Sequence, residues 1–313
     1  MEHKPVLKQE IVDCFSYLKS KSGVFLDCTL GLGGHSLALK EQYPKIKIVG
    51  IDQDNEALDE AKKRIKAMKF DKSFTLVHDN FVNIISILEE LKITSINGAL
   101  IDLGVSSLQL DKPERGFSFK DETQPLDMRM DQSGGKNAAD ILNSYPKSDI
   151  ERILKVYGEE FFAHRIAENI ALFRAKKTIR TVGDILTILS SSIPFSFQKK
   201  SRTHFATKTF QALRIEVNNE LANLNQAILD VFSALKPGSR LAIISFHSLE
   251  DRIVKETFKA IEKPCQCPTQ MPCICGLVPT GEILTRKPRT ASDVEVNSNP
   301  RSRSAKLRII EKL

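Results

Sequence analysis

Between Val24 and Leu103 short apolar runs and amphipathic helical patterns take turns, and then the alternation stops. Val24-Phe25-Leu26-Asp27-Cys28 reads as a buried parallel strand ending in glycines. A helix follows from about Gly34 to Gln42, a strand from Ile46 to Ile51, and a helix from about Asn55 to Met68. That helix carries Ala57, Leu58, Ala61, Ile65 and Met68 on one face. Phe74–Val77 reads as a strand, Val82–Leu91 as a helix and Ala99–Leu103 as a strand. Strands alternating with helices at this spacing predict right-handed βαβ units and an α/β fold with a doubly wound, mostly parallel sheet. The next convincing strand, Leu241–Phe246, comes more than a hundred residues later. Helical patterns near 149–157, 159–173 and 182–189 and over 206–235 fill the interval, the last stopped by Lys236-Pro237-Gly238. The chain therefore divides into a first α/β part (1–109), a mainly helical insertion (110–200) and a second α/β part (201–313). That second part holds a Cys-rich loop, a basic tail and a last strand, Ala305–Ile310. Within the insertion, 112–135 is irregular, and a loop that long in a compact domain is more often functional than idle.

A chain of 313 residues can bury a core of its own, and 41% hydrophobic with 27% charged residues is ordinary for a soluble protein. No run reaches the roughly 18 apolar residues a membrane span needs, and Met1-Glu2-His3-Lys4-Pro5 lacks the apolar stretch of a secretory signal. The expectation is a cytoplasmic protein with no membrane partner. The net charge of +7 matters through its distribution. Arg286, Lys287, Arg289, Arg301, Arg303, Lys306 and Arg308 share a window with only Asp293 and Glu295 as acids. Lys199, Lys200, Arg202 and Lys208 form a second cluster. Both read either as phosphate-binding surfaces or as solvated faces. Cys14 and Cys28 lie in apolar surroundings and read as core residues. Cys265, Cys267, Cys273 and Cys275 crowd into one loop, which suggests zinc, although the single residue inside each pair is one fewer than the usual knuckle spacing. The alternative is a reduced Cys-rich loop.

Gly31-Leu32-Gly33-Gly34-His35-Ser36 lies between the first strand and its helix, where bare backbone and helix-terminal N–H groups can approach a ligand. Asp52 ends the second strand about twenty residues on, at the surface, where a carboxylate can accept both hydroxyls of a ribose. Asp54 directly precedes the next helix and suits its cap. Ser36 stands where a dinucleotide fingerprint prefers its third glycine. Asp27 would sit badly beside a pyrophosphate and well beside an ammonium. Acids at the ends of the first, second and fourth strands (Asp27, Asp52 and Asp102) thus favour S-adenosylmethionine over NAD.

Longer motifs carry a resemblance. Asp102-Leu103-Gly104-Val105-Ser106-Ser107-Leu108-Gln109-Leu110-Asp111, Arg115-Gly116-Phe117-Ser118-Phe119 and Pro125-Leu126-Asp127-Met128-Arg129-Met130-Asp131 resemble the MraW (RsmH) family. So do Phe210-Gln211-Ala212-Leu213-Arg214-Ile215, Ser245-Phe246-His247-Ser248-Leu249-Glu250-Asp251-Arg252 and Asn299-Pro300-Arg301-Ser302-Arg303-Ser304. The resemblance runs from about His3 to Arg308. It implies a Rossmann-like methyltransferase fold with an inserted helical domain that recognises substrate. It implies methyl transfer from S-adenosylmethionine to the exocyclic N4 of a cytidine in small-subunit (16S) ribosomal RNA, within a ribosomal particle. Carried over by motif, cofactor contacts fall on Gly33, Gly34, His35, Asp52, Phe81, Asp102 and Gln109. Phe81 follows the third strand, where an aromatic face can stack on adenine, though a Phe at such a place is by itself more often a core residue.

On the substrate side, Ser106, Ser107, Arg115, Phe117, His247, Arg301 and Arg303 are candidates for RNA contact, with no catalytic residue singled out. Asp102, Ser106, Ser107, His247 and Asp251 are the candidates for orienting the base. His247 reads equally as a structural histidine at a strand end. Phe117, Phe119, Met128 and Met130 either line a pocket for a flipped base or pin the 112–135 loop to its domain. Two other functions fit parts of the chain: an RNA-binding ribosome-assembly factor with a vestigial pocket, and an NAD-dependent dehydrogenase, which Ser36 argues against. Sequence leaves oligomeric state open.

Overall fold

A computed structural model describes residues 4–200, 203–265, 267–268 and 274–313. The chain forms two compact units, Met1–Gly104 with Leu221–Leu313, and Val105–Glu220.

The first unit is built on seven strands: β1 (Gly23–Asp27), β2 (Ile46–Asp52), β3 (Phe74–His78), β4 (Gly98–Asp102), β5 (Arg240–Ser245), β6 (Gly281–Ile283) and β7 (Lys306–Lys312). Their order across the sheet is β3-β2-β1-β4-β5-β7-β6. Pairing is parallel from β3 to β5, while β7 runs antiparallel to both β5 and β6. The sheet is therefore α/β and mostly parallel, as its alternating pattern predicts. Helices α1 (Lys8–Cys14), α2 (Gly34–Gln42), α3 (Asn55–Ala67) and α4 (Ile84–Glu90) fill the first half. Because strand side chains alternate, β1 sends Leu26 to one face with Ile84, Ile87, Ile228 and Phe258. It sends Phe25 to the other with Ile11, Phe15, Leu18 and Leu39. The short edge strand β6 carries too few residues for a periodic signal. No helix among the described residues is long and apolar enough to cross a membrane.

The second unit is helical: α5 (Ser107–Asp111), α6 (Ala138–Ser144), α7 (Lys147–Val156), α8 (Ala163–Arg174), α9 (Val182–Ser192), α10 (Phe195–Lys200) and α11 (Thr207–Asn218). Its limits lie outside the expected 110–200, most clearly at the C-terminal end. There the pattern over 206–235 is two helices, α11 and α12 (Leu224–Ala234), not one. Asn219 ends α11 at φ 52°, a left-handed conformation that Asn tolerates better than most residues. The chain then passes into the first unit at Leu221. There α13 (Ser248–Glu262) and α14 (Asp293–Ser298) complete the helices.

Candidate active site at the carboxyl edge of the sheet

β1 lies between β2 and β4, so the connections from its two sides run in opposite directions and leave a crevice at the carboxyl ends of β1 and β4. The turn after β1 enters α2 through Gly33, whose φ of 75° is left-handed and suits glycine. Gly34 opens the helix, and a Cβ there would come within 2.6 Å of Pro5, so packing as well as ligand access asks for glycine. His35 follows, buried, with Nε2 3.6 Å from Oδ2 of Asp102 at the end of β4. Both ring nitrogens of His35 and Oδ1 of Asp102 are buried without a hydrogen-bond partner among the described residues. Three orphaned polar atoms at one point are costly unless a ligand meets them, because each gives up its hydrogen bonds to water. Thr29, which sequence reasoning passed over, fixes this corner by accepting the Asp102 N–H at 2.6 Å.

Asp27 is turned away from that role. It is 2% exposed, and its oxygens accept from the Ser36 hydroxyl at 2.6 Å and the Thr29 N–H at 3.3 Å. Burial pushes its carboxyl above the usual range, against the hydrogen bond from Ser36. The expected ammonium partner is thus a brace under the turn. Ser36 has a positive reason to replace glycine, since it satisfies a buried acid.

Asp52 is half-buried rather than at the surface. Its Oδ2 accepts the Gly31 N–H at 2.7 Å and its Oδ1 the Asp54 N–H at 2.9 Å. Burial raises its pKa to about 6, and the two backbone hydrogen bonds offset only part of that rise. A carboxylate has about four lone-pair positions, so two remain for a ligand while the others hold the glycine turn. Asp54 caps α3, accepting from Glu56 and Ala57. Beside it Asn80 Nδ2 donates to Gln53 Oε1 at 3.0 Å, a second pair missed from sequence. Phe81 is partly buried and packs against the core that holds Ile84 and Ile228, so its ring is at least half structural.

The whole chain, residues 1–313, matches the model of the MraW methylase family. The chain belongs to the MraW methylase family. It is 48% identical to a Ribosomal RNA small subunit methyltransferase H from Clostridium botulinum (strain Kyoto / Type A2), over 100% of this chain and 99% of that protein. A protein of the same name from Geobacter sp. (strain M21) is 45% identical over 99% of this chain and 98% of its own length. One from Halothermothrix orenii is 46% identical over 100% and 99%.

Other residues expected at the substrate of a MraW methylase are placed differently by the structure. Arg115 is 2% exposed and donates to the carbonyls of Arg129 and Met130 at 3.1 and 2.9 Å, so it ties the 112–135 loop to itself. Phe117, Met128 and Met130 are buried in the core of the helical unit, the loop-pinning alternative, and Phe119 stacks on His204 at 4.3 Å. Both Arg115 and Phe117, expected as candidates for RNA contact, are buried at 2% and 7% exposure. Ser106 and Gln109 form a capping box on α5, the Gln109 N–H donating to Ser106 Oγ and the Ser106 N–H to Gln109 Oε1. Ser107 is buried beside them.

His247 caps α13. Its Nδ1 accepts the Glu250 N–H at 3.3 Å, and Glu250 Oε2 accepts the N–H groups of Phe246 and His247. Nε2 stands 3.0 Å from Glu250 Oε1. The Nδ1 cap is structural, while Nε2 is buried without a hydrogen-bond partner among the described residues, so the geometry leaves a substrate role for this histidine open. Asp251 accepts from Arg308 at 2.6 Å and Lys306 at 3.1 Å. Burial would raise its pKa, but these cations override it and hold the carboxyl below its usual value. It clamps β7 and engages two cations of the basic tail. Arg286, Lys287, Arg289, Arg301 and Arg303 remain exposed. Lys199, over the Phe195 ring at 4.6 Å, and Lys208 are exposed in the helical unit, while Arg202 lies outside the described residues.

Proposed function

We propose that the chain transfers a methyl group from S-adenosylmethionine to the exocyclic N4 of a cytidine in small-subunit ribosomal RNA, acting in the cytoplasm on a ribosomal particle. The observation that carries the cofactor half is the orphaned set at the β1/β4 crevice: His35 Nδ1 and Nε2 and Asp102 Oδ1. A vestigial pocket has no physical need to bury three unsatisfied polar atoms. S-adenosylmethionine supplies an electrophilic methyl group on a cationic sulfonium, with an ammonium and a ribose as handles. Asp102, not Asp27, has the unengaged oxygen to accept the ammonium. Asp52 has the lone pairs to accept the ribose hydroxyls, and the Gly31–Gly34 turn lets the backbone come close. Phe81 offers an edge or face to the adenine.

The cytosine amine is a weak nucleophile because its lone pair is drawn into the ring. Catalysis is therefore positioning: the amine is held in line, the N–C bond forms as the C–S bond breaks, and the nitrogen releases one proton. An amine engaged in base pairing is hidden, so the target cytidine is unpaired or flipped. Arg301, Arg303 and their exposed neighbours bind phosphate, and the 105–220 unit reads the shape around the target. The test is mass spectrometry of small-subunit RNA and particles incubated with the protein and labelled S-adenosylmethionine. Label on N4 of a cytidine is expected. Label on carbon-5, on a ribose oxygen or nowhere refutes the acceptor.

A further inference from the structure

The connection from α13 to β6 holds four of the six cysteines, and the described part of it from Ile274 to Thr280 is exposed throughout. Ile274 is 88% and Val278 70% exposed, so these residues contribute little packing that would fix the loop's path. Yet Cys265, Cys267 and Cys275, drawn from the two ends of the loop, bring their Sγ atoms within 4.8 Å of one another. A bend at Cys267 lets two cysteines separated by one residue face the same point, where an extended strand would send them to opposite sides.

From these positions we infer that the α13–β6 loop is a structural zinc site ligated by the thiolates of Cys265, Cys267 and Cys275. Around a tetrahedral ion with Zn–S near 2.3 Å, sulfurs stand roughly 3.8 Å apart. The three observed here need close by about 1 Å at most to reach it. A disulfide would draw in two of the sulfurs and leave the third without a role, and in the cytoplasm, the location proposed above, thiols stay reduced. An iron–sulfur cluster spreads its cysteines over several metal atoms, which this tight triangle does not allow. A single ion therefore fits best, and three soft thiolates with a fourth position for another donor suit zinc. Cys273, the remaining cysteine of the cluster, lies outside the described residues. The ion would do for the loop what apolar burial does elsewhere, tying its start near α13 to its return toward β6.

Full-length protein, expressed with zinc in the medium and purified without chelator, is analysed for metals, and bound zinc is released by titrating the thiols with a mercurial. About one zinc per chain is expected. Cobalt(II) added to the stripped protein should give the intense visible absorption of a tetrahedral thiolate site. The Cys265→Ser/Cys275→Ser variant should lose zinc at least tenfold. Iron in place of zinc, no metal at saturating zinc, or weak octahedral cobalt absorption overturns the inference. The metal and cobalt measurements use the unsubstituted chain, so a misfolded variant cannot rescue a negative result.

Discussion

Replacing Asp52 by asparagine separates its two duties, holding the glycine turn and holding a ligand. The carboxyl is raised from 3.8 to about 6 in the folded protein, which disfavours its charged form by about 3 kcal/mol at neutral pH. Asp52→Asn removes that penalty. It also leaves one carbonyl oxygen where two carboxylate oxygens serve Gly31 and Asp54, and one unmet N–H costs about 1–3 kcal/mol. The unliganded variant should therefore be as stable as the natural protein or more so, by up to about 2 kcal/mol at pH 7. The sign depends on pH. With the folded pKa above the unfolded value, the favourable contribution is full below about pH 4 and is lost as pH rises through 6. The variant should thus gain on the natural protein across that window. Its cofactor affinity should fall by about 2–3 kcal/mol, roughly 30- to 150-fold, through loss of hydrogen bonds to a charged acceptor. In the natural protein, affinity should decline as pH drops below about 6, by up to tenfold per pH unit, and in Asp52→Asn that dependence should vanish. Calorimetric titration at several pH values, with urea unfolding beside it, reads both effects. A folded variant that binds S-adenosylmethionine as tightly as the natural protein would refute the assignment of Asp52 to the ribose.

Asp251→Asn should cost about 3–5 kcal/mol in urea unfolding, because Arg308, only 6% exposed, would keep its charge and lose its partner. Since the Asp251 pKa is held down, its contribution should be present above about pH 4 and fade as pH falls further; a loss under about 1 kcal/mol would dismiss the clamp. His247→Ala should cost about 1 kcal/mol of stability, mostly recovered in His247→Asn, which can still cap α13. If the alanine variant folds and binds cofactor but transfers no methyl group, a base-orienting role is supported. Charge reversal at both Arg301 and Arg303 should weaken RNA binding and flatten its salt dependence while cofactor affinity stays constant. Unchanged RNA affinity would return the tail to a solvated surface.

Periodicity carried the α/β architecture because the burial that forms a strand or helix also spaces its apolar residues. Leu26 and Phe25 point to opposite faces, and Ala57, Leu58, Ala61 and Ile65 share one, as their spacing requires. The glycine turn, the Asp54 cap and the acid at the end of β2 were legible for the same reason: each satisfies a local demand of backbone geometry. Residues whose chemistry suits two environments were not. Phe117 and Met128 are as apolar as a base pocket needs and as a core needs, and only packing chose the core. Asp27 and Asp102 both end strands, yet the Ser36 hydroxyl in the first turn of α2 engages one, while the other keeps an oxygen unmatched among the described residues. The break at Asn219 hides inside a continuous helical pattern, because one left-handed residue redirects the chain without disturbing the periodicity on either side. Local spacing thus determined which elements form, and three-dimensional neighbours alone decided which polar atoms those elements satisfy and which they leave for a ligand.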